Sequence, residues 1–516
     1  MRATQFLPRT TRARLWALSS VALVGAAVGA CSASLDFIEC RQPSDCERFI
    51  GSGQLRCDNG ACVPADCEKH SECGELGESF VCGLQGVCVD AERDGCALAV
   101  IPGGELGDDP VLMVGAIVDQ GTPAGDAAAA AISLAVSDFN AGASLADGSQ
   151  VALVICDNDG ESVASRDAAE HLATKVGVPA IVGPLEEDAF AAVGEQVSVV
   201  PGNSIFTISP TAIAPLDFQD PNLLWRASPS AAFHAAAFKA RIAELKPDSA
   251  VMLWRSDRYG ISIYEGLTDE VGEQRVVNGI PQQANISFTD SAQAKEHFDA
   301  LVKLLAKPDL IILVGGDEMG EVVKHIGASD LAGTKILISD RALPGLGAAL
   351  TEAQDAKLTA GIEVIAPQRS SGNEGILAQR LSERSPGTLF NEEAILSYDA
   401  AMATLLAMRA VPQAQRVLGP PIAASVSRLI SGEKVSFSDV DTFVAAAAAG
   451  LGGGASIDVV GFSGELAFNG GTKWREPCVD FIGWEFSEVE GLVAVPKRTL
   501  TFMCPEPVPV GTWSEP

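Results

Sequence analysis

The chain has 516 residues, 47% of them hydrophobic and 20% charged, which is apolar material for more than one sizeable core and too much chain for a single one. Its formal net charge is −31, and setting aside residues 1–30, which carry Arg2, Arg9, Arg12 and Arg14 and no acid, takes it to −35. So acidic a chain is not expected to bind phosphate backbones; the charge suits solubility of an exported protein, with attraction of cationic ligands as the alternative.

Residues 1–14 are basic, and residues 15–30 form an apolar, small-residue run too short for an ordinary membrane span, so 1–30 reads as a targeting segment. Val28-Gly29-Ala30-Cys31 resembles a bacterial lipobox, which implies cleavage before Cys31 and acylation of that residue. An ordinary cleavage site beside a chance cysteine is the alternative. Several acyl chains would hold the protein stably on a membrane, and Ser32 resembles the sorting residue of outer-membrane lipoproteins in a Gram-negative cell envelope. No other stretch approaches about eighteen uninterrupted apolar residues.

Nine of the 13 cysteines lie between Cys31 and Cys88. After Cys31 they form two copies of one pattern, Cys40, Cys46, Cys57, Cys62 and then Cys67, Cys73, Cys82, Cys88, within a cysteine-rich region expected at 31–96. Repeats of about 23 residues are too small to fold on a hydrophobic core, so disulfides are expected, paired first to third and second to fourth. Zinc is the rival reading, weakened by the lack of Cys-x2-Cys pairs. The module reads as a compact stalk, followed by a linker at 97–110 containing Pro102-Gly103-Gly104.

The body alternates strands and helices. A strand is expected at 111–118, followed by a loop with Gln120 and an Ala-rich helix at 126–140. The strand at 151–155 ends in Cys156-Asp157-Asn158-Asp159-Gly160, and the next helix places Val163, Ala164, Ala168 and Leu172 on one face. Strands at 180–183 and 204–208 flank a helix that begins near Glu186, Glu187 and Asp188. The pattern then repeats: helix 231–245, strand 250–254 leading to Tyr259-Gly260, and strands at 310–314 and 335–339 running into Asp317 and Asp340. Short apolar strands alternating with amphipathic helices imply parallel sheets, whose ligands bind beyond the carboxyl ends of the strands.

Three motifs in order, Cys156-Asp157-Asn158-Asp159, Val182-Gly183-Pro184 and Ile208-Ser209-Pro210-Thr211-Ala212, resemble the first lobe of type I periplasmic binding proteins of the branched-chain amino-acid-binding family. Tyr259-Gly260, Tyr398-Asp399-Ala400 and the stretch from Gly461-Phe462-Ser463-Gly464 to Gly470-Gly471 extend the resemblance over about residues 111–503. It implies an α/β fold of two doubly wound lobes joined by hinge strands, with lobe 1 at 111–228 and 366–470, lobe 2 at 229–365 and 471–504, and a tail at 505–516. A ligand between the lobes would meet Gln120, Glu187, Asp188, Ser209, Thr211, Ala212, Tyr259, Asp317 and Asp340. Glu187 stands where the family holds a ligand carboxylate with a serine, and Ile213 where it uses a threonine, with Thr211 two residues earlier. A buried carboxylate there favours a cation, so an acidic cleft for an amine, a cationic peptide or a polyol is expected. Capping of the following helix by these acids is the equal alternative.

Cys478 and Cys504 flank two strand-like runs at 479–485 and 492–502 and are expected to bridge them. Cys96 and Cys156 then pair by default, although family members that bridge from the position of Cys156 use a cysteine where this chain has Glu186. Catalytic and cofactor motifs are missing: His-Glu-x-x-His is absent, Gly461-Phe462-Ser463-Gly464-Glu465 lacks the last glycine of a nucleophile elbow, and Asp157 to Glu161 lack calcium-loop spacing. The expected protein is therefore no enzyme and needs no cofactor or metal. It is a lipid-anchored solute-binding protein for a small-molecule ligand, serving an ABC-type permease or a sensor. The alternative is an outer-membrane lipoprotein that uses the same fold to regulate an envelope enzyme.

Overall fold

The computed structural model describes residues 55–515, apart from residues 59–60, 65, 84–85, 93–94, 199–203, 221, 272–273, 278, 306, 354, 369–370, 438–439, 476–479, 488–492 and 504–506. The Cys31 anchor, Cys40, Cys46 and the Cys478–Cys504 bridge fall outside the described residues. The backbones of Cys57 and Cys62 lie opposite one another in a two-stranded ladder.

Two sheets carry the body. The first has the order Leu224–Arg226, Phe206–Ser209, Ala180–Val182, Val111–Val118, Gln150–Asp157 and Cys96–Val100, all parallel except the last. The second runs Gln282–Phe288, Ser249–Arg255, Leu310–Val314, Lys335–Ser339, Ile362–Pro367, Phe481–Ser487 and Val493–Leu500, with the last two antiparallel. The central strands are apolar throughout because both faces are covered: every residue of Leu310–Val314 is buried, as are six consecutive residues of Val111–Val118. The chain passes from lobe 1 to lobe 2 after Arg226, returns after Pro367, where the Ser371 amide donates to the Phe462 carbonyl, and leaves again after Arg475. This is the two-lobed α/β architecture that the family resemblance implied, built on the parallel sheets expected from the alternation of elements.

Two motifs read separately in the sequence turn out to serve one another. Tyr398 and Asp399 lie in the second turn of the buried helix Glu392–Ala410, where Tyr398 donates to Asp138 at 2.8 Å. Asp399 accepts from the amides of Phe462 at 3.0 Å and Ser463 at 2.7 Å, and from the Ser463 hydroxyl. Gly461 is required beside it, since a Cβ there would lie 2.3 Å from an Asp399 oxygen. Burial pushes the Asp399 carboxyl up to about 6, against the opposing pull of its Ser463 donors and Arg475.

Several expectations need correction. Val163 does not share the buried face with Ala168 and Leu172 but is 65% exposed, because five residues at about 100° each set it roughly 140° round the helix Ser162–Glu170 from Ala168. Residues 96–100, expected to open a linker, form the edge strand of the first sheet, with Cys96 opposite Cys156 and bonded to it. The tail folds back: Trp513 is buried in the lobe 2 core and its amide donates to Glu244 at 2.7 Å.

The second cysteine repeat has the expected pairing, Cys67–Cys82 and Cys73–Cys88. The sulfurs of Cys67, Cys73 and Cys88 lie within 4.8 Å of one another, and each is already committed to a disulfide. This repeat is no separate stalk. Val81, Val89 and Ala91 share one core with Met113, Ile117, Ala152, Val154 and Leu172 of lobe 1. His70 accepts from the Cys82 amide at 3.0 Å, and its other ring nitrogen lies 3.2 Å from the Val111 carbonyl. Burial lowers the pKa of His70 and keeps it in the neutral form that this bridge needs, although the Val111 carbonyl opposes the shift. Calorimetry of the oxidised protein is expected to show the repeat and lobe 1 unfolding in one transition, which Val89→Ala weakens by about 1–3 kcal/mol. A separate transition for the repeat, with lobe 1 unmoved by the substitution, would restore the stalk.

Candidate functional site

The carboxyl ends of the two sheets face each other, and the loops beyond them enclose a cavity of about 300 Å³. Lobe 1 contributes Thr122, Leu185, Glu186, Thr211 and Ile213; lobe 2 contributes Arg255, Tyr259, Asp317, Asp340 and Arg341; Asn391, Glu392 and Glu393 close one side. Each side chain arrives there because its strand ends there: Lys335–Ser339 delivers Asp340 and Arg341, and Ser249–Arg255 delivers the loop to Tyr259.

Glu187 opens the helix Glu187–Val197, yet its carboxylate is only 4% exposed and is fully engaged. It accepts from the amides of Ile213 at 2.8 Å and Ala214 at 3.1 Å, and from Arg341 Nη2 at 2.8 Å. Arg341 also donates to the Thr211 carbonyl at 2.9 Å and lies 4.0 Å above the Tyr259 ring. Burial works to lower the Arg341 pKa, but the charge of Glu187, with Tyr259, Asp340 and Asp257 behind it, raises it further, so the guanidinium stays charged. Beneath it Tyr259 donates to Asp340 at 2.8 Å, and His234 Nδ1 is 3.8 Å from the same carboxylate.

The residues expected from the sequence therefore divide. Tyr259, Thr211, Asp317 and Asp340 line the cavity. The Ser209 and Thr211 hydroxyls are spent on the Pro184 and Leu185 carbonyls, and Ala212 donates its amide to Ser209. Asp188 is exposed and pairs with Arg258 at 2.9 Å. Gln120 lies instead on a wider, open groove of about 1010 Å³ between the edge strand and the helix Pro123–Gly142. The negative charge expected at Glu187 in an acidic cleft is not left free, since Arg341 neutralises it. Sequence reasoning missed Arg341, although it directly follows Asp340 at a strand end. It also passed over Glu186, which lines the cavity with one oxygen, Oε2, buried and without a hydrogen-bond partner. Burial raises the Glu186 pKa, with Asp119 and Glu187 adding to the effect and Arg341 opposing it.

Residues 127–449 match the family described as receptor family ligand binding region. Among solved structures, the chain is similar to the branched-chain amino acid transporter substrate binding protein of Streptococcus pneumoniae in complex with isoleucine (18% identity, TM-score 0.54, covering 75% of this chain and 99% of that one). It is similar to a leucine binding protein of Thermotoga maritima at 16% identity, TM-score 0.54, over 75% and 98% of the two chains. A Rhodopseudomonas palustris solute binding protein in complex with 3,4-dihydroxy benzoic acid matches at 14% identity, TM-score 0.54, over 79% and 99%. No curated protein sequence matches the chain.

Tyr259→Phe removes a hydroxyl that donates to buried Asp340 and keeps the ring under Arg341. The expected loss, read by denaturant unfolding, is about 1–3 kcal/mol, the cost of leaving a buried acceptor short of a partner. An unchanged midpoint would show that Asp340 does not depend on this bond.

Proposed function

The chain belongs to the receptor family ligand binding region family, and from that premise we propose that it is an extracytoplasmic solute-binding lipoprotein that encloses a small polar ligand between its lobes. The observation that carries the reading is the cavity of about 300 Å³ between the carboxyl ends of the two sheets, a size suited to a ligand of a few tens of atoms or fewer. A protein using this fold only as a docking scaffold has no need of such a space, and this favours the solute over the regulatory reading.

The lining describes the ligand. Its cations are Arg255 and Arg341, the latter with Nε and Nη1 making no hydrogen bond among the described residues. They stand among the carboxyls of Glu186, Asp317, Glu318, Glu392 and Glu393, with Arg255 3.5 Å from Glu318. Acids outnumber cations, so the ligand carries an amine or several donors toward Glu186, and any anionic group it has lies toward Arg341; an amino-acid-like molecule meets both demands. The identities to amino-acid and aromatic-acid binding proteins are too low to carry their ligands over.

A thermal-shift screen of amines, amino acids and polyols is expected to find a stabilising class among the amine-bearing compounds. Calorimetry on Glu186→Gln should then show about tenfold or greater loss of affinity, the effect of one charge-assisted hydrogen bond. No shift from any class on correctly folded protein would end the solute-binding reading.

Anchoring through Cys31 follows from the lipobox-like Val28-Gly29-Ala30-Cys31, and it places the body beside a membrane, where a permease or sensor partner would act. Cys31→Ser should abolish acyl labelling and move the protein from membrane to soluble fractions. Unchanged partitioning would exclude the lipid anchor.

A further inference from the structure

The contacts that close the cleft come from the chain itself. Glu187 of lobe 1 holds Arg341 of lobe 2 at 2.8 Å, and the same guanidinium nitrogen reaches the Thr211 carbonyl of lobe 1 at 2.9 Å. Outside this pair, Arg258 of lobe 2 reaches two further lobe 1 acids, Asp188 at 2.9 Å and Asp217 at 3.0 Å. Every one of these links crosses from one lobe to the other.

The two sets differ in burial. Arg258, Asp188 and Asp217 are solvent-accessible, so their pairing is weak and sensitive to salt. Glu187 is not: its side chain is 3% exposed, against 20% for Arg341, and its two remaining partners are backbone amides fixed in the turn after Ser209. Opening the lobes would take Arg341 from that carboxylate, leaving it its two amides and the nearby charge of Arg226, and would strip Arg341 of both lobe 1 acceptors, so these contacts favour the closed arrangement.

We propose that Glu187 and Arg341 form an inter-lobe latch in which Glu187 acts as a tethered anion, shutting the cleft independently of ligand. Closure and ligand binding are then separate equilibria. The latch lowers the population of the open, loading state, and breaking it raises that population. The proposal stands whichever solute fills the cavity, and even if the solute-binding reading fails, because it concerns the ligand-free protein.

The test measures the distance between spin labels introduced at exposed Asp167 in lobe 1 and Lys303 in lobe 2 of the full mature protein, unfolded and refolded to remove bound molecules. The wild type is expected to show a single short-distance population. Glu187→Gln and Arg341→Gln should each add a longer one, and the double charge swap, Glu187→Arg with Arg341→Glu, should reduce it again. A long-distance population in the stripped wild type equal to that of the variants overturns the latch. If the buried variants do not fold, the wild-type distribution alone decides: short supports the proposal, long refutes it. High salt provides a further check, since it should release Arg258 and leave the wild-type distance short.

Discussion

A carboxylate taken out of water is stable only when its charge is matched and its lone pairs are filled, and Glu187 is the point at which this requirement gathers the molecule. Its partners come from the turn at Ile213 and Ala214 and from Arg341, 154 residues away in the other lobe. Satisfying one side chain therefore positions the start of a helix, a strand-end turn and a loop of the second sheet together. Arg341 passes the constraint on: its guanidinium covers Tyr259, Tyr259 holds Asp340, and Asp340 stands beside His234 on the first helix of lobe 2. The polar wall of the cavity is one chain of contacts and not a set of independent residues.

Much of the fold was legible because a parallel sheet covered on both faces demands unbroken apolar strands, and such runs are visible without any knowledge of partners. The strands Val111–Val118 and Lys335–Ser339 and the helix Ala231–Leu245 lie where their patterns end. What the patterns did not reveal depends on distant pairing. Cys96–Val100 looks like the start of a linker, with Pro102-Gly103-Gly104 behind it, until Gln150–Asp157 offers it a ladder. The face of the helix after Glu161 was misread because Val163 lies five residues before Ala168, which at about 100° per residue is roughly 140° round the helix and off its buried face.

The location of the candidate site was legible for the same reason as the sheets, since strand ends converge by topology. Its chemistry was not. Four acids, Glu187, Asp188, Asp317 and Asp340, were in view as an acidic cleft, and local sequence does not say which of them meets an arginine. Glu187 pairs inward, Asp188 pairs with Arg258 at the surface, Asp340 receives a tyrosine, and Glu186, next in line, lines the cavity and keeps one buried oxygen without a hydrogen-bond partner. Neighbours along the chain have separate fates because the start of a helix points successive side chains about 100° apart.

Each lobe is completed by one end of the chain, and this explains why segments that look peripheral are built into cores. Without Cys96–Val100 the strand Gln150–Asp157 would present an open edge, an invitation to pair with another chain. Without Val81, Val89 and Ala91 part of the sheet face around Met113, Ala152 and Val154 would lose its cover. The Cys96–Cys156 bridge ties that edge to the sheet across 60 residues, so the folded repeat and the first strand are held to the same surface. Lobe 2 is finished from the other end, where Phe502 and Trp513 pack against Phe233, Phe481 and Leu500. The functional body thus extends beyond the alternating strands and helices that identify it, reaching back to Cys67 and forward to Trp513, and truncation to the recognisable repeat of elements would remove parts of both cores.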